Sequence, residues 1–150
     1  LLWKITGTDT YLGLGGGTIA QSFAESQKLW VFLLKILFTC ITLCSGFKGG
    51  EIVPSLFIGA TFGSALAPIF GLPVDICAAC GMVGVFCAVT NSPISSLLIA
   101  FELFGFAGMP YFCTVIAVSY LLSGYQSLYK AQKIVYSKTE NKYIDRNTTS

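Results

Sequence analysis

The clearest chemistry in this chain of 150 residues lies in Ser45-Gly46-Phe47-Lys48-Gly49-Gly50-Glu51-Ile52-Val53-Pro54. A glycine-rich turn carrying one lysine and one glutamate separates two long apolar runs and leads into a segment with proline in its first helical turn. At bilayer depth, irregular backbone survives only where protein covers it or where it lines a cavity. A helix start held there presents unpaired N–H groups and partial positive charge, which suit an anion. The expected chemistry is anion binding by backbone dipoles inside a membrane.

Other side chains point to no catalysis or metal binding. Cys40, Cys44, Cys77, Cys80, Cys87 and Cys113 all lie in apolar runs. Cys77-x-x-Cys80 supplies half of a zinc spacing, but histidine is absent and no second close pair completes four ligands. Steps of three and seven place Cys77, Cys80 and Cys87 near one helical face, as small packing residues. Serines cluster at helix starts, where capping explains them, and no carboxylate pair shares an apolar pocket. The expectation is a non-enzyme without metal or cofactor. The basic residues form a short juxtamembrane tail, which suits anionic lipid rather than nucleic acid.

The elements that position the glycine turn read as membrane helices. Hydrophobic residues make up 54% and charged residues 11% of the chain, and mean hydropathy is +0.73; soluble domains carry about 25% charge. From Ile36 to Gln126 the only ionisable side chains besides tyrosine and cysteine are Lys48, Glu51, Asp75 and Glu102. Tyr11–Ser26 reads as a short helix and a connection, and Leu29–Cys44 as an apolar helix in which Lys35 snorkels or pairs within the bundle. Pro54–Phe70 follows the turn; Ser55, Gly59, Gly63 and Ala67, with Ala60 and Ser64, form a small-residue ridge for close helix packing. Gly71-Leu72-Pro73 ends it, and Asp75 caps Ile76–Val89. Thr90-Asn91-Ser92-Pro93, an N-cap candidate followed by proline, opens Ile94–Phe104, and Tyr111–Leu122 is the last helix. Short helices interrupted by glycine and proline suit discontinuous transporter folds. The chain starts at Leu1 without methionine or a signal-peptide pattern, and reads as the C-terminal part of a longer membrane protein. Residues 1–132 are assigned to the membrane domain and 133–150 to a basic tail, cytoplasmic by the positive-inside tendency. Asn147-Thr148-Thr149 fits a glycosylation sequon, which in a cytoplasmic tail is a chance match.

The glycine turn, the Asn-Ser-Pro opening and the ending Gly124-Tyr125-Gln126-Ser127-Leu128-Tyr129, in this order and spacing, resemble the CLC family of chloride channels and proton-coupled anion transporters. The resemblance runs from about Tyr11 to Gln132. It implies an all-α membrane protein, a bundle of tilted and broken transmembrane helices corresponding to the later inverted repeat. Gly50-Glu51-Ile52-Val53-Pro54 aligns with the family's Gly-x-Phe-x-Pro anion motif. The N–H groups of Glu51 and Ile52 and the hydroxyl of Tyr129 are thereby implied as ligands of chloride or another halide. Gly50 permits the turn, Gly49 and Val53 support it, and Pro54 sets the helix start. Tyr125, on the same segment, is the rival of Tyr129. The helices of Ile94–Phe104 and Tyr111–Leu122 correspond to ones that help form the family's dimer interface, so a homodimer is expected.

Two positions depart from the family pattern. Ile52 replaces the motif's phenylalanine. Glu51 sets a carboxylate beside the anion path, so its side chain is expected to turn away, towards Lys48, as a local ion pair worth under about 1 kcal/mol; a proton relay is the other reading. Gly-Gly-Glu also resembles the fluoride-exporting branch. The segments holding the family's serine and gating glutamate are missing from this sequence, and Glu102 is expected to pack or hydrogen-bond between helices. A channel, a proton-coupled exchanger, a different secondary transporter with broken helices and a non-transporting scaffold all stay open.

Overall fold

A computed structural model describes residues 14–46, 50–129 and 131–148. Six helices occur among the described residues: α1 (Gly16–Ala24), α2 (Leu29–Cys44), α3 (Ile52–Phe70), α4 (Val74–Thr90), α5 (Pro93–Phe104) and α6 (Met109–Leu122). Two short strands follow, β1 (Lys133–Tyr136) and β2 (Tyr143–Asn147). The all-α expectation holds for the apolar part of the chain. The segment read as a tail instead forms an antiparallel hairpin pairing Lys133 with Asn147, Ile134 with Arg146 and Tyr136 with Tyr143. Rings of that last pair meet edge to face, 5.8 Å between centroids.

Helix starts differ from the expected ones for local reasons. α3 begins at Ile52, two residues before Pro54, so the proline occupies the third helical position. α4 starts at Val74, which puts Asp75 inside the first turn rather than at the cap; its charge still complements the helix dipole there. α6 starts at Met109 with Pro110 second, a position where the missing N–H costs nothing. Of the described helices only α3, 19 residues long with mean hydropathy 1.7, is long and apolar enough to cross a membrane. α2 has 16 residues, about 24 Å, short of the roughly 30 Å hydrocarbon layer. It stops where Gly46 turns left-handed at φ 82° and donates its N–H to the Leu43 carbonyl at 3.0 Å, a glycine-terminated end.

The chain divides into two compact units, one ending at Met82 and the other starting at Val83. In the first, Phe57, Ala60, Thr61, Ser64 and Ala67 of α3 are buried. The small-residue ridge does what its spacing predicts. A Cβ added at Gly59 would lie 2.5 Å from the Gly81 carbonyl oxygen and 2.8 Å from the Met82 Cα, and one at Gly63 would collide with the Cys77 carbonyl. α3 and α4 therefore touch backbone to backbone, which only glycine allows. Ser64 also fastens the connection after α1, donating to the Glu25 carbonyl at 2.9 Å and accepting from the Gln27 N–H at 3.0 Å.

Lys35 does not snorkel. It is buried, and its Nζ lies 4.9 Å from the centroid of the Phe57 ring, because α3 offers an aromatic face where solvent would otherwise be sought.

In the second unit, α6 fits against the end of α4 through Gly84, whose carbonyl accepts the Ser119 hydroxyl at 2.5 Å. A Cβ at Gly84 would sit 2.8 Å from Val115 Cγ1. Cys87 is fully buried, its thiol directed at the Ile116 carbonyl. Cys77 and Cys80 are half-buried, and Cys40 and Cys44 are exposed.

Candidate anion site

The α3 start has the geometry of a donor cluster. Glu51 is the N-cap residue (φ −82°, ψ −17°), and its side chain makes no capping bond. The Glu51 carbonyl is doubly occupied, by the Ser55 N–H at 3.2 Å and the Ser55 hydroxyl at 2.7 Å. The N–H groups of Glu51, Ile52 and Val53 precede this first helical bond and have no partner among the described residues, and Pro54 has none to offer. Ile52, Val53 and Pro54 are half-buried while Glu51 and Gly50 are exposed. Lys48 and Gly49 lie outside the described residues, and with them the expected Lys48–Glu51 pair. Gly50 has no left-handed φ, and a Cβ there would meet nothing within 4 Å. Among the described glycines of the turn, the left-handed φ belongs to Gly46.

Tyr129 is 48% exposed, and its hydroxyl has no hydrogen-bond partner among the described residues. Its backbone, by contrast, is held on both sides. The Tyr129 N–H donates to Ser127 Oγ at 3.2 Å, and its carbonyl accepts the Thr148 hydroxyl at 2.8 Å and the Gln132 N–H at 3.0 Å. Tyr125 is differently placed: its hydroxyl shares a 2.9 Å hydrogen bond with Ser137 and accepts the Lys138 N–H at 3.4 Å. Of the two rival tyrosines, only Tyr129 has a hydroxyl without a partner among the described residues.

Asn91 is the residue that sequence reasoning missed. It sits between α4 and α5 at φ 55°, 4% exposed, and its Nδ2 donates to the carbonyls of Gly124 (3.2 Å) and Gln126 (2.9 Å). The Leu128 N–H reaches the Val89 carbonyl at 3.0 Å. The segment carrying Tyr129 is thus tied to the α4–α5 junction. An asparagine between the end of one helix and a proline was the available signal, because asparagine tolerates the left-handed region. Ser92 stands at the N-cap of α5 without a side-chain cap bond, and its hydroxyl turns back to the Thr90 carbonyl at 3.3 Å. Glu102 is exposed and makes neither the expected interhelical hydrogen bond nor an ion pair among the described residues.

One charged group closes the second unit from outside the helices. Lys138 Nζ donates to the Tyr120 carbonyl at 2.7 Å and to Ser123 Oγ at 3.1 Å, and lies 3.8 Å from the Tyr120 ring centroid. Burial pushes its ammonium below the usual lysine range, while its position at the end of α6 suits a cation.

Comparison with known proteins identifies the family. Residues 2–124 match the family model for the voltage gated chloride channel. A "Chloride/fluoride channel protein" of Pseudomonas syringae pv. tomato is 43% identical over 130 residues, covering 87% of this chain and 29% of the relative. A "Putative ion-transport protein YfeO" of Salmonella typhimurium is 28% identical over 116 residues, covering 76% of this chain and 28% of that protein. The crystal structure of a CLC-type fluoride/proton antiporter superposes with a TM-score of 0.79 at 38% identity, covering 85% of this chain and 33% of the antiporter. The chain spans less than a third of the length of the curated relatives it matches. These relatives are named as channels or transport proteins, not as enzymes. By its matched length and by these identities, the chain belongs to the voltage gated chloride channel (CLC) family of integral membrane proteins.

Proposed function

We propose that the protein carrying this segment moves a halide across a membrane, and that the N–H groups of Glu51 and Ile52 and the hydroxyl of Tyr129 are ligands of the ion. The observation that carries this reading is the set of unspent donors. Among the described residues neither the first-turn N–H groups of α3 nor the Tyr129 hydroxyl has a partner, whereas neighbouring Tyr125 shares its hydroxyl with Ser137. Such uncharged donors fit transport, because conduction requires a site weak enough to release its ion. Gly49, Gly50, Val53 and Pro54 support the donor cluster: small residues leave room for an ion's approach, and Pro54 removes a competing N–H. The intact protein is read as multi-pass with its C-terminal end cytoplasmic.

Fluoride is the favoured second cargo reading. Gly49-Gly50-Glu51 resembles the fluoride-exporting branch, and two relatives carry fluoride in their names. Glu51, exposed at the helix start, then stands as the alternative proton carrier to a merely solvated carboxylate.

The test is efflux of chloride and of fluoride from liposomes holding the full-length protein, with and without a proton gradient. Flux of at least one halide is expected. A proton gradient that drives the flux identifies an exchanger, and one without effect identifies a channel. If neither halide moves, the transport reading falls. A homodimer through α5 and α6 is also proposed, since Ile94, Leu98, Leu103, Leu121 and Leu122 are exposed there. Native mass spectrometry in mild detergent should give twice the chain mass, and a monomer would contradict it.

A further inference from the structure

We propose that the terminal hairpin is a clamp that positions Tyr129, with Thr148 as the positioning residue, so that the fold of the C-terminal segment sets halide affinity. This rests on reading Tyr129 as an anion ligand. The hairpin lies beyond residues 2–124, which match the family, and grips the Tyr129 segment at both of its ends.

At the open end of the hairpin, Gln132 and Thr148 directly flank the two strands, and the Thr148 N–H extends the ladder to the Gln132 carbonyl at 3.0 Å. From there the Thr148 hydroxyl is shared between the carbonyls of Tyr129 (2.8 Å) and Gln132 (3.1 Å). The Gln132 side chain reaches further inward. Its Oε1 accepts the Ser127 hydroxyl at 2.7 Å, and its Nε2 donates to the Asn91 carbonyl at 3.2 Å. Ser127 Oγ in turn receives the Tyr129 N–H. After β1, Ser137 bonds the Tyr125 hydroxyl and Lys138 caps the end of α6. Tyr125 and Tyr129 therefore both depend on the hairpin, one through its hydroxyl and the other through its carbonyl.

The consequence for the anion follows from what Tyr129 lacks. Its hydroxyl has no partner among the described residues to aim it, so ring placement depends on the backbone. That backbone is fixed by Ser127 on the amide side and by Thr148 and Gln132 on the carbonyl side. Thr148 is itself buried, so removing its hydroxyl takes one donor from the Tyr129 and Gln132 carbonyls, each of which keeps a single backbone N–H.

The experiment compares halide titration calorimetry of the full-length wild type with Thr148→Val, Thr148→Ser, Tyr129→Phe and the double variant Thr148→Val/Tyr129→Phe, each checked by melting temperature. Thr148→Val should weaken halide binding about three- to ten-fold, the range of one lost hydrogen bond, and Thr148→Ser should restore it. In the Tyr129→Phe background the Thr148→Val change should have no further effect. Wild-type affinity in Thr148→Val overturns the clamp, and so does an equal loss in both backgrounds, which would mean a general effect on the fold. Should Tyr129→Phe bind halide as the wild type does, the ligand reading fails first and the clamp with it. If Thr148→Val does not fold, Ser137→Ala reads the same clamp from the hairpin side of its bond to Tyr125. Weakened binding there supports the proposal, and unchanged binding contradicts it.

Discussion

Gly63→Ala should destabilise the first unit by about 3 kcal/mol, the upper part of the range for overpacking a close contact. The added methyl would lie 2.8 Å from the Cys77 carbonyl carbon and closer still to its oxygen, and backbone cannot swing aside as a side-chain tip can. α3 and α4 would have to separate along the ridge, losing contact at Gly59 and Gly81 as well. Gly50→Ala is the comparison, because its methyl meets open space at an ordinary φ; it should change stability by less than about 0.5 kcal/mol. Thermal melting in detergent reads both. Equal melting temperatures for the two variants would show that the helices do not need this approach.

Asn91→Ala should cost the second unit about 2–4 kcal/mol. It removes two part-buried hydrogen bonds, to the carbonyls of Gly124 and Gln126, worth about 0.5–1.5 kcal/mol each, and places alanine at φ 55°, a conformation that disfavours any residue with a Cβ. Asn91→Gly separates the two causes, since glycine accepts that φ freely but still lacks the amide. Its loss should therefore be smaller than that of alanine and still measurable by melting. A melting temperature unchanged in both variants would mean that Gly124 and Gln126 are held by something other than Asn91.

Much of this was legible in the sequence, because membrane helices write their rules in one dimension. A small residue at every fourth position in α3 (Ser55, Gly59, Gly63 and Ala67) predicts the close approach that the structure shows at Gly59 and Gly63. Proline and glycine mark the helix ends to within a few residues. What was hidden depended on contacts distant in sequence. Lys35 turns inward because Phe57 lies under it, 22 positions away. Asn91 reads as a boundary residue until Gly124 and Gln126 are placed beside its amide. The basic tail conceals a hairpin, since Lys133, Ile134, Val135 and Tyr136 alternate too briefly to signal a strand. In the candidate site, the motif already favours Tyr129 over Tyr125, but the bond that occupies the Tyr125 hydroxyl, from Ser137, is a contact no spacing supplies.

The claim at the centre of this account is that an anion is held by uncharged donors, a tyrosine hydroxyl among them. Calorimetric titration of chloride and fluoride into the full-length protein, wild type against Tyr129→Phe, tests it most directly. Removing a hydrogen bond to a charged partner should weaken binding of the transported halide by about ten-fold or more, with little change in melting temperature, because the lost hydroxyl has no partner among the described residues. Identical affinities for the two proteins would contradict the account.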